Sequence, residues 1–103
     1  MENAQLLTLL TDGGAVADTT GVQTNKTPFL IGTNTIAKFE PTGFEGTVLV
    51  QTSEDNSAWT TKVTEVYVLG SDDSRVTSFK LAQYVRVSVT AWVGGTVSVH
   101  LQS

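Results

Sequence analysis

The stretch YVRVSVTAWVGGTVSVHLQS, residues 84–103, decides the fold class of this chain. From residue 84 to 93, valine or alanine alternates strictly with polar or aromatic residues, and apolar residues alternate again from 97 to 101. Alternation with a period of two residues is typical of β-strands that bury one face. The stretch therefore predicts two strands, each with one apolar and one polar face.

Gly94 and Gly95 lie between these two strands and predict a β-hairpin. A two-residue turn would set the valines of one strand beside polar side chains of the other, because a slip of one residue turns a whole face over. A three-residue loop at 93–95 matches the faces instead, and Gly95 can adopt the left-handed conformation that such a loop needs. We therefore expect a three-residue loop, with Ala91 facing Val97.

The polar face of this hairpin is a candidate contact surface. It carries Tyr84, Arg86 and Trp92, and these residue types are enriched at interface hot spots. An ordinary solvated sheet face would show the same pattern, so both interpretations stay open. In the predicted register Ser88 lies beside His100, but no carboxylate is placed to orient the imidazole, so we expect no catalysis there.

Composition extends the β prediction to the whole chain. Threonine and valine are abundant, and both are β-branched residues that suit pleated sheets. A chain of 103 residues fits one domain. At this size an all-β chain forms a sandwich or a small barrel, and turn signals spaced about ten residues apart favour the sandwich. The predicted fold is a single antiparallel β-sandwich, jelly-roll-like, with an extended N-terminal segment.

Residues 1–34 are predicted to form an N-terminal arm or long connection with short strands, and residues 35–103 the β-sandwich. The arm begins with a leucine-rich run that fits either a short helix or an edge strand; a strand added to a sheet of this chain or of another subunit is favoured. The leucines need a cover, so they join the hairpin face as interface candidates. The run contains Leu6, Leu7, Leu9 and Leu10.

Four further segments alternate or are rich in β-formers, which gives six or seven strands in all. The first is predicted to stop at Pro41, since proline cannot join a central ladder. Their predicted ranges are 35–40, 46–53, 59–69 and 75–81.

Charge and residue types argue against several classes of function. The chain has no cysteine and one histidine, so it offers neither a thiolate nor a multi-histidine metal site, and we expect no cofactor. A net charge of −4 argues against a nucleic-acid partner. No apolar run reaches the length of a membrane span, and the first residues carry no basic segment typical of a secretory signal. The paired acids lie in turns, the wrong arrangement for glycoside hydrolysis, so an enzyme is not expected.

Two stretches carry a resemblance to a known group of proteins. The first, GTVLVQTSEDNSAWT at 46–60, has the form G-T-V-x-V-Q followed by S-x-D-x-x-x-W. The second is the 84–103 stretch, with Y-V-R-V-x-V-T and G-G-T-V-x-V. Together they resemble small β-sandwich virion proteins of tailed bacteriophages, of the capsid decoration or cement type. The first 40 residues take no part in the resemblance.

The resemblance implies a non-enzymatic virion component that binds the outer capsid surface and stabilises the shell. Its implied partners are the major capsid protein and further copies of itself, often as a homotrimer, and its implied location is the capsid surface after synthesis in the host cytoplasm. The alternative is a carbohydrate-binding or adhesin module of a head or tail fibre, with Trp59 and Trp92 as stacking platforms. A separately encoded accessory domain of an enzyme is a third possibility.

Overall fold

The computed structural model of the chain describes residues 6–19, 21–23 and 34–102, and every regular element within them is a β-strand. All the strand pairs are antiparallel, which confirms the predicted all-β antiparallel class. The strands are β1 (Leu6–Gly13), β2 (Ala17–Asp18), β3 (Val22–Gln23), β4 (Asn34–Ser53), β5 (Thr60–Ser71), β6 (Arg75–Lys80) and β7 (Tyr84–Gln102).

Strands β4 and β7 form the spine of the sheet. They have 20 and 19 residues and pair along their whole length, from Ile36 opposite Gln102 to Ser53 opposite Tyr84. Each half of the spine has its own outer neighbours. In the first half of the spine, the first half of β4 pairs with the second half of β7, and the outer neighbours are β6 beside β4 and β1 beside β7. In the second half of the spine, the second half of β4 pairs with the first half of β7, and the outer neighbours are β5 beside β4 and β2 and β3 beside β7.

The predicted hairpin at Gly94-Gly95 is wrong, because β7 continues through these glycines as one strand. Gly94 pairs with Glu45 of β4, and Ala91 pairs with Thr47 rather than facing Val97. The alternation correctly predicts strand structure, but β4 is a partner of about the same length that also alternates. Pairing with β4 gives the backbone of both halves of β7 a hydrogen-bonding partner.

The side-chain neighbours that depended on the hairpin change with it. Ser88 lies opposite Leu49, and His100 lies opposite Lys38, so these two polar residues sit in different halves of the spine. The predicted Ser88–His100 pair is therefore wrong as well.

Three glycines with left-handed backbone lie on three neighbouring strands. Gly95 of β7 has φ +74°, Gly43 of β4 has +57° and Gly70 of β5 has +62°. A Cβ on Gly95 would lie 2.0 Å from the Gly43 carbonyl oxygen, and one on Gly70 would lie 3.6 Å from the same oxygen. Next to β1, a Cβ on Gly14 would lie 3.6 Å from the Gly95 carbonyl oxygen. We call this row of four residues the glycine crease.

The sheet folds sharply at the glycine crease. Phe39 and Val48 of β4, the partners of Arg75 and Glu65, are nine positions apart, roughly 30 Å along a straight strand. Yet Arg75 Nη1 lies only 3.0 Å from Glu65 Oε1. The two halves of β4 must therefore turn back toward each other, which brings the inner side of β6 onto the inner side of β5.

Folding at the crease encloses the apolar faces of both halves in one core. The bulkiest fully buried side chains are Tyr67, Phe39, Phe44 and Leu101. Ten further apolar residues of the strands are buried in the same cluster, among them Val48, Val50, Val85, Val87, Val97 and Val99. Each of these buried side chains contributes about 1.5–3 kcal/mol by leaving water.

The leucine-rich run forms β1 in this chain and pairs with β7, which confirms the favoured strand. Leu9 and Leu10 are half-buried and pack against the core. The side chains of Leu6 and Leu7, and residues 1–5 and 24–33 of the predicted arm, lie outside the described residues. A domain boundary after residue 34 stays a prediction.

The predicted end of a strand at Pro41 is wrong. Pro41 is buried within β4, opposite Val97 of β7. On the other side of β4, pairing with β6 ends at Phe39 and pairing with β5 begins at Phe44. Proline lacks an N–H, and it is accommodated here because no described strand pairs with this side of β4 between Phe39 and Phe44.

We expect Gly95→Ala to lower the free energy of unfolding by about 2–4 kcal/mol, because it adds a Cβ against backbone in a left-handed conformation. Gly43→Ala meets nothing within 4 Å and should cost only the left-handed strain, about 1–2 kcal/mol. Gly94→Ala, also unobstructed and without positive φ, is the matched control and should change stability by less than about 1 kcal/mol. Urea unfolding of the three variants measures this order; equal losses at Gly95 and Gly94 would contradict it.

Candidate functional site

Arg86 is the centre of a polar network on the outer face of the second half of the spine. Its Nε donates a hydrogen bond to Gln51 Oε1 at 2.8 Å, and its Nη1 lies 3.5 Å from Asp18 Oδ2. Its guanidinium lies over the Trp59 ring, 4.4 Å from the centroid, a cation–π contact. The network continues on both sides of Arg86. Gln51 Nε2 donates to Thr61 Oγ1 at 3.1 Å, and the Ser88 hydroxyl donates to Asp18 Oδ1.

This network joins β2, β7, β4 and β5 across the sheet. The short strand β2 has only two paired residues, so the bonds from Asp18 fasten it to the spine. The Nε and Nη1 groups of Arg86 are both used within the chain. Arg86 therefore acts first as a link between strands, and its role as an interface residue stays a prediction.

The other predicted interface residues are spread over the molecule rather than gathered in one row. Tyr84 is half-buried opposite Ser53 at the far end of β7. Trp92 is 42% exposed at the crease, and its indole Nε1 donates to the Gly95 carbonyl at 2.9 Å. Leu9 and Leu10 face the core from the β1 side. That the predicted interface residues form one contact surface stays a prediction.

Three exposed apolar residues lie near the crease, and Trp92 is one of them. Val93 is 67% exposed and Val16 is 62% exposed. Val16 follows Gly14, which approaches Gly95, and precedes Ala17, which pairs with Val89, so it lies alongside the bend of β7. We call Val16, Trp92 and Val93 the apolar crest. The predicted hairpin placed Val93 in its 93–95 loop, and Val16 was not among the predicted contact residues; the neighbouring glycines were the only sequence signal of a bend.

A cleft of about 450 Å³ opens at the far end of the second half, away from the crest. One wall is the 54–58 loop, and the other is formed by the start of β5 and the residues after β6. Two lysines line it, Lys62 and Lys80, and neither forms an ion pair within the described residues. The remaining lining residues are Thr52, Ser53, Glu54, Asp55, Ala58, Thr60, Leu81 and Ala82.

Asp55 holds the loop wall of this cleft in shape. Its Oδ1 accepts hydrogen bonds from the backbone N–H groups of Ala58 at 3.0 Å and Ser57 at 2.9 Å, and from the Ser53 hydroxyl at 3.0 Å. These donors, Ala58 first, lower the pKa of the Asp55 carboxyl below its usual value. Asn56 beside it has φ +62°, a conformation that asparagine tolerates in turns. The simple turn predicted for these acids is thus a loop ordered around one carboxylate.

His100 lies between a hydroxyl and a carboxylate on the outer face of the first half. Its Nδ1 lies 3.0 Å from Thr8 Oγ1, and its Nε2 lies 3.3 Å from Glu40 Oε1. The three groups sit on β1, β7 and β4, so they tie the edge strand to the spine. They lie on a sheet face and do not line the cleft described above. Their arrangement therefore indicates cross-strand linkage rather than a reaction centre.

Tyr67 is the most enclosed titratable side chain of the core. The Arg75 guanidinium lies 4.0 Å from its ring centroid, and Phe44 meets the ring edge-on at 5.6 Å. Its hydroxyl is buried without a hydrogen-bond partner among the described residues. Burial raises the pKa of Tyr67 to about 12, because the phenolate would be poorly solvated.

Within the described ranges, no three histidine, aspartate or glutamate side chains are grouped so as to hold a metal ion. Nor does that part of the chain contain a helix long and apolar enough to span a membrane. Comparisons of the chain with family models, with curated proteins and with solved structures found no match.

We expect stability to fall in acid partly through Asp55. Its pKa is lower in the folded chain than in the unfolded chain, so its contribution is complete above the unfolded value, about 4. The contribution is lost as the pH falls through the folded pKa. The difference in melting temperature between the wild type and Asp55→Asn should therefore shrink as the pH is lowered from 7 towards 2. Glu54→Gln, which removes a neighbouring charge, is the control. A difference in melting temperature between the wild type and Asp55→Asn that is the same at pH 7 and at pH 2 would contradict this role of Asp55.

We expect Tyr67→Phe to leave stability unchanged or to raise it by up to about 1 kcal/mol, because it removes a buried hydroxyl that has no partner. The ring contacts with Phe44 and Arg75 are kept. Urea unfolding measures the change, and Tyr67→Leu, which loses the ring, should be clearly less stable. A loss above about 1.5 kcal/mol in Tyr67→Phe would reveal a hydrogen bond to this hydroxyl.

Proposed function

We propose that this chain is a non-enzymatic capsid decoration protein of a tailed bacteriophage, which binds the outer capsid surface and stabilises the shell. Its partners in this proposal are the major capsid protein and further copies of itself, as a homotrimer on the virion surface. The observation that carries the proposal is the apolar crest, three exposed apolar residues at the bend of the glycine crease.

The crest has the character of a contact surface. Trp92 is an amphipathic aromatic residue, and such residues anchor interfaces when their rings are enclosed by a partner. Its indole N–H is already bonded to Gly95, so burying the ring against a capsid subunit would leave no donor unsatisfied. Val16 and Val93 add exposed apolar surface, and its removal from water on binding would be favourable.

The dimensions of the molecule also favour a function performed by surfaces. The chain measures 36 × 35 × 17 Å, so it is a plate with two broad faces. Many copies at symmetry-related positions would add their affinities through multivalency.

The resemblance to virion proteins falls on the parts that build the fold. Residues 46–60 are mostly the second half of β4, and residues 84–102 are β7. These two segments pair with each other along the second half of the spine. A shared sequence pattern in this position supports a shared architecture, and we extend the proposal to it: the folded sheet is a β-sandwich, jelly-roll-like, with an extended N-terminal segment.

A carbohydrate-binding or adhesin module is the second candidate, but its stacking platforms have little support. Arg86 covers one face of Trp59, and a Cβ on Gly21 would lie 2.9 Å from the same ring. Trp92 presents part of its ring, but its indole N–H is already bonded to the Gly95 carbonyl and is not available to a sugar hydroxyl. The decoration function is therefore proposed first.

The test is binding to the capsid. We expect mass spectrometry of virions of the encoding phage, separated into heads and tails, to find the chain in the head fraction. Purified chain should also cosediment with undecorated heads. The double variant Trp92→Ser/Val93→Ser should reduce the affinity for heads at least tenfold, because the crest loses its apolar surface.

The control variant is Val76→Ser, which removes an exposed valine of β6 that is not part of the crest. It should bind heads as the wild type does, and unfolding curves should show that both variants remain folded. Recovery of the chain from tails alone, or equal binding by wild type and the crest variant, would overturn the proposal.

A further inference from the structure

The cleft at the 54–58 loop contains an unusual mixture of charges. Lys62 and Lys80 line it without ion-pair partners within the described residues, and Glu54 is an exposed carboxylate on the same lining. Asp55 also lines it, but its Oδ1 accepts three hydrogen bonds from the loop itself. Two ammonium groups and two carboxylates therefore line the cleft, and the Asp55 carboxylate keeps its charge although its Oδ1 is taken up by the loop.

The cleft is already formed without a ligand. Asp55 orders the loop wall, and the opposite side rests on Leu81, which is 3% exposed and part of the core. A volume of about 450 Å³ lies within the range of small-molecule sites, about 300–1,000 Å³. A rigid wall on one side and a core residue on the other limit the ordering cost of binding.

The available groups select the chemistry of the ligand. The two ammonium groups, which have no ion-pair partners within the described residues, can bind a carboxylate of the ligand by charge-assisted hydrogen bonds. The Glu54 carboxylate repels a simple inorganic anion but accepts hydrogen bonds from hydroxyl groups. The Thr60 hydroxyl can donate or accept. A ligand that carries one carboxylate and several hydroxyl groups can bind to the ammonium groups, the carboxylate and the hydroxyl of this lining.

We propose that this cleft binds a hydroxylated carboxylate of monosaccharide size, such as a hexuronic acid. Its carboxylate lies against Lys62 and Lys80, and its hydroxyl groups donate to Glu54. The site uses neither tryptophan and lies apart from the apolar crest, so it stands independently of the capsid proposal.

The test is a titration of ¹⁵N-labelled protein with D-glucuronate, with D-glucose and with inorganic phosphate, followed by NMR. D-Glucuronate should shift the amide signals of Thr60, Lys62, Leu81 and Ala82. D-Glucose should bind at least tenfold more weakly because it lacks the charge, and phosphate at least tenfold more weakly because it lacks the hydroxyl groups and meets Glu54.

Variants assign the effect to the cleft. Lys80→Gln and Lys62→Gln should each weaken D-glucuronate binding about tenfold, through loss of a charge-assisted hydrogen bond. Lys38→Gln, which removes a lysine of β4 that does not line the cleft, is the matched control and should bind as the wild type does. Glu54→Gln should bring phosphate closer to D-glucuronate in affinity.

Three results would overturn the proposal: no shifts in the cleft signals, equal affinity for D-glucose or phosphate, or weakening by Lys38→Gln equal to that by Lys80→Gln. The crest variant Trp92→Ser/Val93→Ser should bind D-glucuronate normally. Failure of the cleft and failure of capsid binding are thus distinguishable.

Discussion

Gly95 approaches the carbonyl of Gly43 so closely that a methyl group in its place would overlap the neighbouring backbone. Two central strands can bend together at this point because both residues lack a Cβ and both have left-handed backbone. Gly70 continues the same conformation onto β5. If the strands stayed straight, the apolar face of a 20-residue β4 would remain open to water along its whole length. The bend turns that face inward, so the hydrophobic core depends on a backbone constraint.

Polar contacts then hold the two folded halves in place. On the inside, Glu65 of β5 accepts hydrogen bonds from Arg75 and Thr77 of β6, at 3.0 and 3.1 Å. On the outside, Arg86 links β2, β4 and β7 while stacking on Trp59. Each exposed or half-exposed pair contributes only about 1 kcal/mol or less. Their main effect is positional, because they fix strands too short or too far apart to be aligned by ladder hydrogen bonds alone.

The same bend separates the surface into distinct regions. At the crease the backbone exposes Trp92 and its valine neighbours, which would alternate in and out of the core in a straight strand. At the opposite end the spine closes into the 54–58 loop and forms the lysine-lined cleft. The exposed apolar crest and the polar cleft thus lie at different ends of one small plate. The first suits a macromolecular partner and the second a small ligand, and neither requires the other.

The sequence by itself determined the antiparallel all-β class, since strict alternation in 84–93 and 97–101 leaves strand as the local structure whatever its partner. It also predicted that the valines of β7 on either side of the bend are buried, whereas for the leucine-rich run it only favoured a strand over a short helix. Only the tertiary structure decided that Gly94 and Gly95 bend one strand instead of joining two. A local pattern shows that a strand is interrupted, but not which of two available partners will pair with it. The crest and the cleft could not be predicted from the sequence for the same reason. Each consists of residues from segments that meet only after the sheet has folded at its glycines.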